Sequence, residues 1–285
     1  MIRYFHEFEK QLYGLNIQRG DTLYIASDVS LLLSEARKNF GIKTKLQRDE
    51  FLNQLIHTYQ QVVGQAGTLM VPVFTWDFCR GKEFDYRNTK SETGALSNWI
   101  LENRADFSRT NHPMYSFMVW GKDQLMLTNM DNKDAWSENS PFAYLHTKKA
   151  KLLLLNVSLQ RGFTFLHYIG RSIRVPYRYM KDFRGTYIDK DGVKSVRVYS
   201  MYVRDLAIES KEYLPDTFLE EAGVMNSRSY GKINLKVVDL AEAYNIVKND
   251  LLNNQGKNCY IFYNYQIDWT KGATHDDETG NGLSG

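Results

Sequence analysis

Disulfide frameworks, long apolar runs and a strong charge of one sign are all missing from this sequence. Its 285 residues hold only two cysteines, Cys79 and Cys259, with no CxxC and no metal-finger spacing. That excludes a disulfide-stapled miniprotein and leaves two reduced, partly buried thiols as the expectation. Apolar runs such as Leu152–Leu155 fall far short of the roughly 20 residues a membrane span needs. The first ten residues carry charges where a signal peptide needs an apolar stretch, so a soluble cytoplasmic protein with no membrane span is expected. Lys and Arg number 36 against 33 Asp and Glu, a net charge of +3. So small an excess gives no general polyanion footprint, and nucleic acid is not an expected partner.

Several motifs of known chemistry are also lacking. There is no phosphate-binding GxxxxGK loop and no GxSxG elbow. None of the six histidines pairs as HxH or HExxH, so no metal is expected. Gly280–Gly285 spells GxGxxG, but it follows no strand and opens no helix, so the dinucleotide reading is discarded.

What remains reads as α/β. Tyr4, Phe5, Phe8, Leu12 and Leu15 have helical spacing over residues 3–15. Leu23–Ala26 reads as a buried strand, with Ser27 and Asp28 able to cap a helix from Val29 to about Asn39. A second helix starts near Thr44 and ends before Gly64, and Thr68–Val71 is the next strand. That order implies a parallel crossover, whose ligands bind beyond the carboxyl ends of the strands, near Ser27–Asp28 and Pro72–Asp77. Residues 78–92 read as a loop and Thr93–Glu102 as a helix. Lys151–Val157 is the strongest strand, and a helix starts at Thr164. Alternation over residues 184–205 around Asp191-Gly192 signals a hairpin. Leu240–Leu252 reads as a helix and Cys259–Tyr263 as a strand. The expected architecture is a layered sheet with parallel core strands and flanking helices, plus an antiparallel C-terminal hairpin region. It forms one unit over residues 1–271, with a C-terminal subregion of about 184–271 and a mobile polar tail over 272–285.

Four segments follow in a telling order. They are Gly67–Thr75; Phe84-Asp85 with Thr89, Ser91 and Gly94–Leu96; Arg109–Phe117 closing at Gly121; and Ser140–Phe142, Leu152–Leu155 and Thr164–His167. Together with Gly20–Leu23, this run resembles the aminoglycoside 3-N-acetyltransferase family over roughly residues 18–170. Val175–Arg178 and Phe183–Gly185 resemble a branch found with bacterial surface-polysaccharide genes.

The resemblance implies acetyl-coenzyme A as cosubstrate and an amine as acceptor. It makes His167 the general base, through the family's Thr-x-x-His-x-x-Glu motif, and brings Thr164 with it. The motif's glutamate position is Gly170 here. A carboxylate there would orient the imidazole and stabilise its charged form. Asp77 and Asp85 are the candidate replacements, because both are expected at the ligand end of the sheet. Resemblance also makes Thr75, Ser91 and Ser116 candidate coenzyme contacts and His112 a candidate substrate contact. Ser27, after the first strand, is placed for the coenzyme's diphosphate. Asp28 would repel phosphate, so it is expected to cap the helix instead. His6, His57 and His146 have no acidic company and read as surface or packing residues.

One feature is independent of the family. Arg171, Arg174, Arg178, Lys181 and Arg184 crowd after His167, with Tyr177 and Tyr179 between them. Such a run is usually a solvated face. Read as a site through Arg174, Tyr177 and Arg178, it favours an anionic acceptor such as a nucleotide-linked amino sugar, for polysaccharide or O-antigen synthesis. Two other readings stay open: an aminoglycoside acceptor, and a non-catalytic coenzyme A-binding relative motivated by Gly170. A homodimer is also left open.

Overall fold

Alternation along the central strands decides how the chain layers. In a strand successive side chains point to opposite faces. Leu23, Ile25, Leu153 and Leu155 enter one apolar cluster, while Tyr24, Ala26, Leu152 and Leu154 enter another. A sheet apolar on both faces must be covered on both, which is the signature of parallel strands with crossover helices.

The computed structural model describes residues 1–263 and 267–274. Its first elements are α1 (Ile2–Gly14), β1 (Thr22–Ser27), α2 (Ser30–Phe40), α3 (Lys45–Val63) and β2 (Thr68–Pro72). The middle of the chain forms β3 (Phe84–Asp85), α4 (Ala95–Asn103), β4 (Ser108–Arg109), β5 (Phe117–Gly121), α5 (Gln124–Thr128), α6 (Pro141–Thr147) and β6 (Lys151–Leu155). Then come α7 (Leu159–Gly162), α8 (Phe165–Ser172), β7 (Arg178–Ile188), β8 (Lys194–Arg204) and β9 (Ser210–Glu212). The last are α9 (Asp216–Glu221), β10 (Met225–Tyr230), β11 (Ile233–Asp239), α10 (Leu240–Asn253) and β12 (Tyr260–Phe262).

The main sheet has seven strands in the order β10-β11-β6-β1-β2-β5-β4. Its centre, β6-β1-β2, is parallel, with Tyr24 beside both Met70 and Leu152. The flanking pairs are antiparallel. Thus the expected α/β architecture with parallel core strands is observed. One expectation needs correcting. The C-terminal region is not only a hairpin, because β10 and β11 return to the main sheet beside β6. The hairpin itself, β7–β8, starts at Arg178 rather than 184 and pairs through β3 with the supposed loop of residues 78–92. Gly192 takes a φ of +82° in its turn, which a residue with a Cβ rarely adopts.

Local sequence explains the helix starts. The Thr44 side chain accepts from the Gln47 N–H, and the Gln47 side chain accepts from the Thr44 N–H, a capping box that begins α3. The Asp28 carboxylate takes the Ser30 N–H and hydroxyl at the start of α2, as expected. Connections then position the site. From β1 the chain reaches β2 through α2 and α3 on one face, while α6 leads into β6 on the other. The carboxyl ends of β1 and β6 therefore flank a point where the connections part, a usual place for a ligand cleft. Among the described residues no helix is long and apolar enough to cross a membrane. Most of the tail expected over 272–285, with the Gly280–Gly285 match, lies outside the described residues.

Candidate active site

The site begins where β6 ends. Asn156 turns the chain with a φ of +53°. Its backbone N–H donates to the Asn234 carbonyl, and its side chain accepts from the Asn234 N–H. Next, α7 is pressed onto the sheet at Gly162. A Cβ there would lie 2.3 Å from Leu154 Cδ2 and 3.3 Å from Ala26 Cβ, so the close approach requires glycine. The start of α7 is pinned by Asp216, whose carboxylate accepts the Leu159 N–H at 2.7 Å and pairs with Lys236. This anchoring delivers Thr164 and His167 to the ends of β1 and β6. The Thr164 side chain lies beside the Tyr24 hydroxyl.

His167, on α8, lines a cavity of about 150 Å³ with Gln160, Arg161, Thr164, Glu212 and Leu214. Its ring meets Trp136 edge-on at 5.5 Å between centroids. Nδ1 has no hydrogen-bond partner and lies 3.8 Å from Glu212 Oε1. That same oxygen accepts from Arg178 Nη2 at 2.9 Å. Burial pushes the imidazole pKa down to about 4, the Arg178 cation adds to the effect and Glu212 opposes it. His167 is therefore uncharged at neutral pH, the form a base requires.

Glu212 is the residue that sequence reasoning missed. It sits on a three-residue strand far downstream, and nothing in its neighbours distinguishes it from the other acids. A Cβ added at Gly170 would make ordinary contact with Val175, 3.4 Å from its Cγ2. The candidates offered for the missing acid are engaged elsewhere. Asp77 pairs with Arg80 at 2.9 Å and Lys82 at 3.0 Å. Asp85 accepts from the Arg87 and Asn88 N–H groups and the Asn88 side chain, closing a turn.

Other expected site residues prove to be internal. Ser116 is fully buried, donates to the Val73 carbonyl and accepts from Arg109 Nε at 2.9 Å. Ser91 is buried and bonded to the Phe74 carbonyl and the Thr93 hydroxyl. Thr75 is buried, donates to Glu92 and accepts from the Asp77 N–H. Of the four expected coenzyme contacts only Ser27 is half-buried, at the carboxyl end of β1. The ring of His112 is enclosed, its Nδ1 accepts from the Tyr115 N–H and Tyr199 packs edge-on at 5.1 Å. Burial pushes its pKa down to about 3. Tyr177 is buried among Tyr260, Phe262 and Trp269.

The basic cluster also disperses. Arg171 pairs with Asp134 at 3.1 Å, and buried Arg178 pairs with Glu212. Arg174 is exposed in the turn after α8 with a φ of +52°, and Lys181 lies over the Phe183 ring. Arg171 and Arg178 are thus each held against an acid on a different part of the chain, so the run does not form one cationic patch.

A family model described as aminoglycoside 3-N-acetyltransferase matches residues 45–251. The chain belongs to the aminoglycoside 3-N-acetyltransferase family. This is a family of acyl-coenzyme A-dependent N-acetyltransferases, the enzyme class that the segment order implies. A curated relative is the SPbeta prophage-derived aminoglycoside N(3')-acetyltransferase-like protein YokD of Bacillus subtilis (strain 168). It is 27% identical over 199 residues, which cover 67% of this chain and 70% of the relative. Among solved structures, an AAC-IIIb binary complex with CoASH superposes with a TM-score of 0.67 at 17% identity, covering 87% of this chain and 96% of that one. The YokD crystal structure gives 0.65 at 20% identity, covering 88% and 99%. At these identities the superpositions establish a shared fold.

Proposed function

We propose that the protein transfers the acetyl group of acetyl-coenzyme A to an amine of an aminoglycoside-type amino sugar, with His167 as general base. The observation that carries this reading is the placement of His167 Nδ1 3.8 Å from Glu212 Oε1 in a cavity shared with Gln160, Arg161 and Thr164. Acetyl-coenzyme A supplies the activated acyl group. Half-buried Ser27 at the end of β1 fits an approach from that side, and Asp28 spends its charge on the start of α2 rather than toward a phosphate.

His167 does the proton work. With Nδ1 toward Glu212, the other ring nitrogen, Nε2, takes a proton from the amine as the new C–N bond forms and the C–S bond breaks. The imidazolium then returns that proton to the departing thiolate. While charged, its Nδ1–H needs an acceptor, and Glu212 Oε1 is the carboxylate beside it. In this reading Glu212 stands in for the acid absent at Gly170, which favours catalysis over a non-catalytic relative. The nucleotide-linked acceptor loses its support because Arg171 and Arg178 are paired with acids. An aminoglycoside is a polycation that needs no such patch, and the family and the named relatives point the same way.

The test is a thiol-release assay with acetyl-coenzyme A against aminoglycosides and nucleotide-linked amino sugars. Turnover on an aminoglycoside, lost in His167→Ala, is expected. Turnover confined to nucleotide-linked sugars would overturn the acceptor assignment. Undiminished turnover in His167→Ala would remove the base.

A further inference from the structure

We propose that Arg178 is a positioning residue for this reaction, holding the Glu212 carboxylate at a standoff from His167 so that the imidazole stays uncharged until it takes the substrate proton. This rests on the reading of His167 as the base. The geometry is a shared oxygen. Glu212 Oε1 accepts from Arg178 Nη2 at 2.9 Å and stops 3.8 Å short of His167 Nδ1, which has no other partner.

The two ends of this chain differ in how firmly they are held. Arg178 is buried as the first residue of β7. Its Nη1 donates to the Tyr202 carbonyl at 3.2 Å, and its own carbonyl accepts from the Thr274 N–H at 3.2 Å. Glu212 closes the short strand β9, which pairs only with β12 among the described residues. A firmly placed guanidinium and a carboxylate on a short edge strand make the cation the reference point. The carboxylate stands where Arg178 leaves it. The remaining gap to Nδ1 is less than about 1 Å beyond ordinary hydrogen-bond length, close enough to shut once the ring carries a proton.

Other charges around the pair are accounted for. Arg161 of α7 lines the same cavity, and Arg171, one turn along α8, is paired with Asp134 on the loop that carries Trp136. On the far side, the Tyr177 and Tyr260 hydroxyls face Arg178. Glu212 is thus the acid facing both His167 and Arg178, and removing the guanidinium frees it for His167.

The experiment uses the full chain with Arg178→Met, Arg178→Lys and Glu212→Gln. NMR of the His167 imidazole gives its titration midpoint without requiring turnover, and thiol release gives kcat, KM and the pH profile. In Arg178→Met, Glu212 closes on Nδ1 and the His167 midpoint rises by about one to two pH units from its value near 4. The acidic limb of kcat/KM moves up with it, while KM for the amine changes less than about threefold. Glu212→Gln leaves the midpoint at or below the wild-type value. Arg178→Lys, which keeps the charge but loses the planar fork, gives a smaller rise in the same direction and decides the matter if the methionine variant does not fold. Unmoved midpoints in both arginine variants overturn the proposal, as does a raised KM with an unmoved midpoint, the mark of a substrate contact. A wild-type protein that releases no thiol with any amine defeats the acetyl-transfer reading, and the titration still decides the Arg178–Glu212–His167 coupling.

Discussion

His112 and His167 both pack against aromatic rings, and burial depresses the pKa of each. His112 packs against Tyr115 and Tyr199, and its Nδ1 accepts a backbone N–H. His167 packs against Trp136 yet opens onto a cavity, with Glu212 beside a nitrogen that has no other partner. Burial alone therefore does not make a base. An imidazole becomes chemically useful when one nitrogen faces a place a substrate can reach and the other faces an acid. His112 has neither, and its environment is that of a packing residue.

Substitutions can break or sharpen this contrast. The largest effect is expected from His167→Ala, with kcat for thiol release lowered by about 10²–10⁴-fold and the circular dichroism spectrum unchanged. His112→Ala should do the reverse. It leaves a cavity and an unpaired Tyr115 N–H, so urea unfolding should show a loss of about 2–4 kcal/mol, with kcat per folded molecule within twofold of wild type. A fall in kcat with stability intact would return His112 to the site and break the comparison. Glu212→Gln should lower kcat by about 10–100-fold while leaving KM nearly unchanged, because it removes only the support of the charged ring.

Acid sharpens the same contrast through stability. Both imidazoles titrate lower in the folded chain than the ordinary histidine value of 6.5. Their contribution is fully present above about pH 6.5. Below it the unfolded chain binds protons that the folded chain refuses, so stability falls toward pH 4 by about 1.4 kcal/mol per pH unit for each histidine. Urea midpoints measured from pH 7 to pH 4.5 should show this slope, and His112→Ala should roughly halve it. An unchanged slope would show that His112 is not held uncharged. The smallest effect is expected at Asp77. Its ion pairs with Arg80 and Lys82 are partly exposed, so Asp77→Asn should change stability by under about 1 kcal/mol and leave turnover within twofold.

Much of the frame was legible in the linear order of residues. The Leu23–Ala26 and Leu152–Leu155 strands, the start of α3 near Thr44, the Asp28 cap and the placement of His167 beyond β6 all follow from patterns contained in one segment. The hairpin was visible from its Asp191-Gly192 turn, but its start was not. Arg178–Phe183 follows the break at Pro176, and its strand pairing is set by partners on β8. The return of β10 and β11 to the main sheet was also hidden. An antiparallel pair looks the same in sequence whether it stands alone or extends a sheet. Ser91 and Ser116 are candidate coenzyme contacts by resemblance alone, and a resemblance carried by segment order does not report that their hydroxyls are buried here.

Sequence by itself determined α1–α4, α8 and α10, the central strands and the family, and it singled out His167 as the candidate base, since each depends on spacing within a short stretch or on the order of such stretches. Tertiary structure alone decided which acid meets that histidine. Glu212 comes to His167 through the pairing of two three-residue strands and an ion pair with Arg178, contacts between segments distant along the chain. The same folding turned a run of five basic residues into separate, partly neutralised charges, because a helix end, a turn and a strand send neighbouring side chains in different directions.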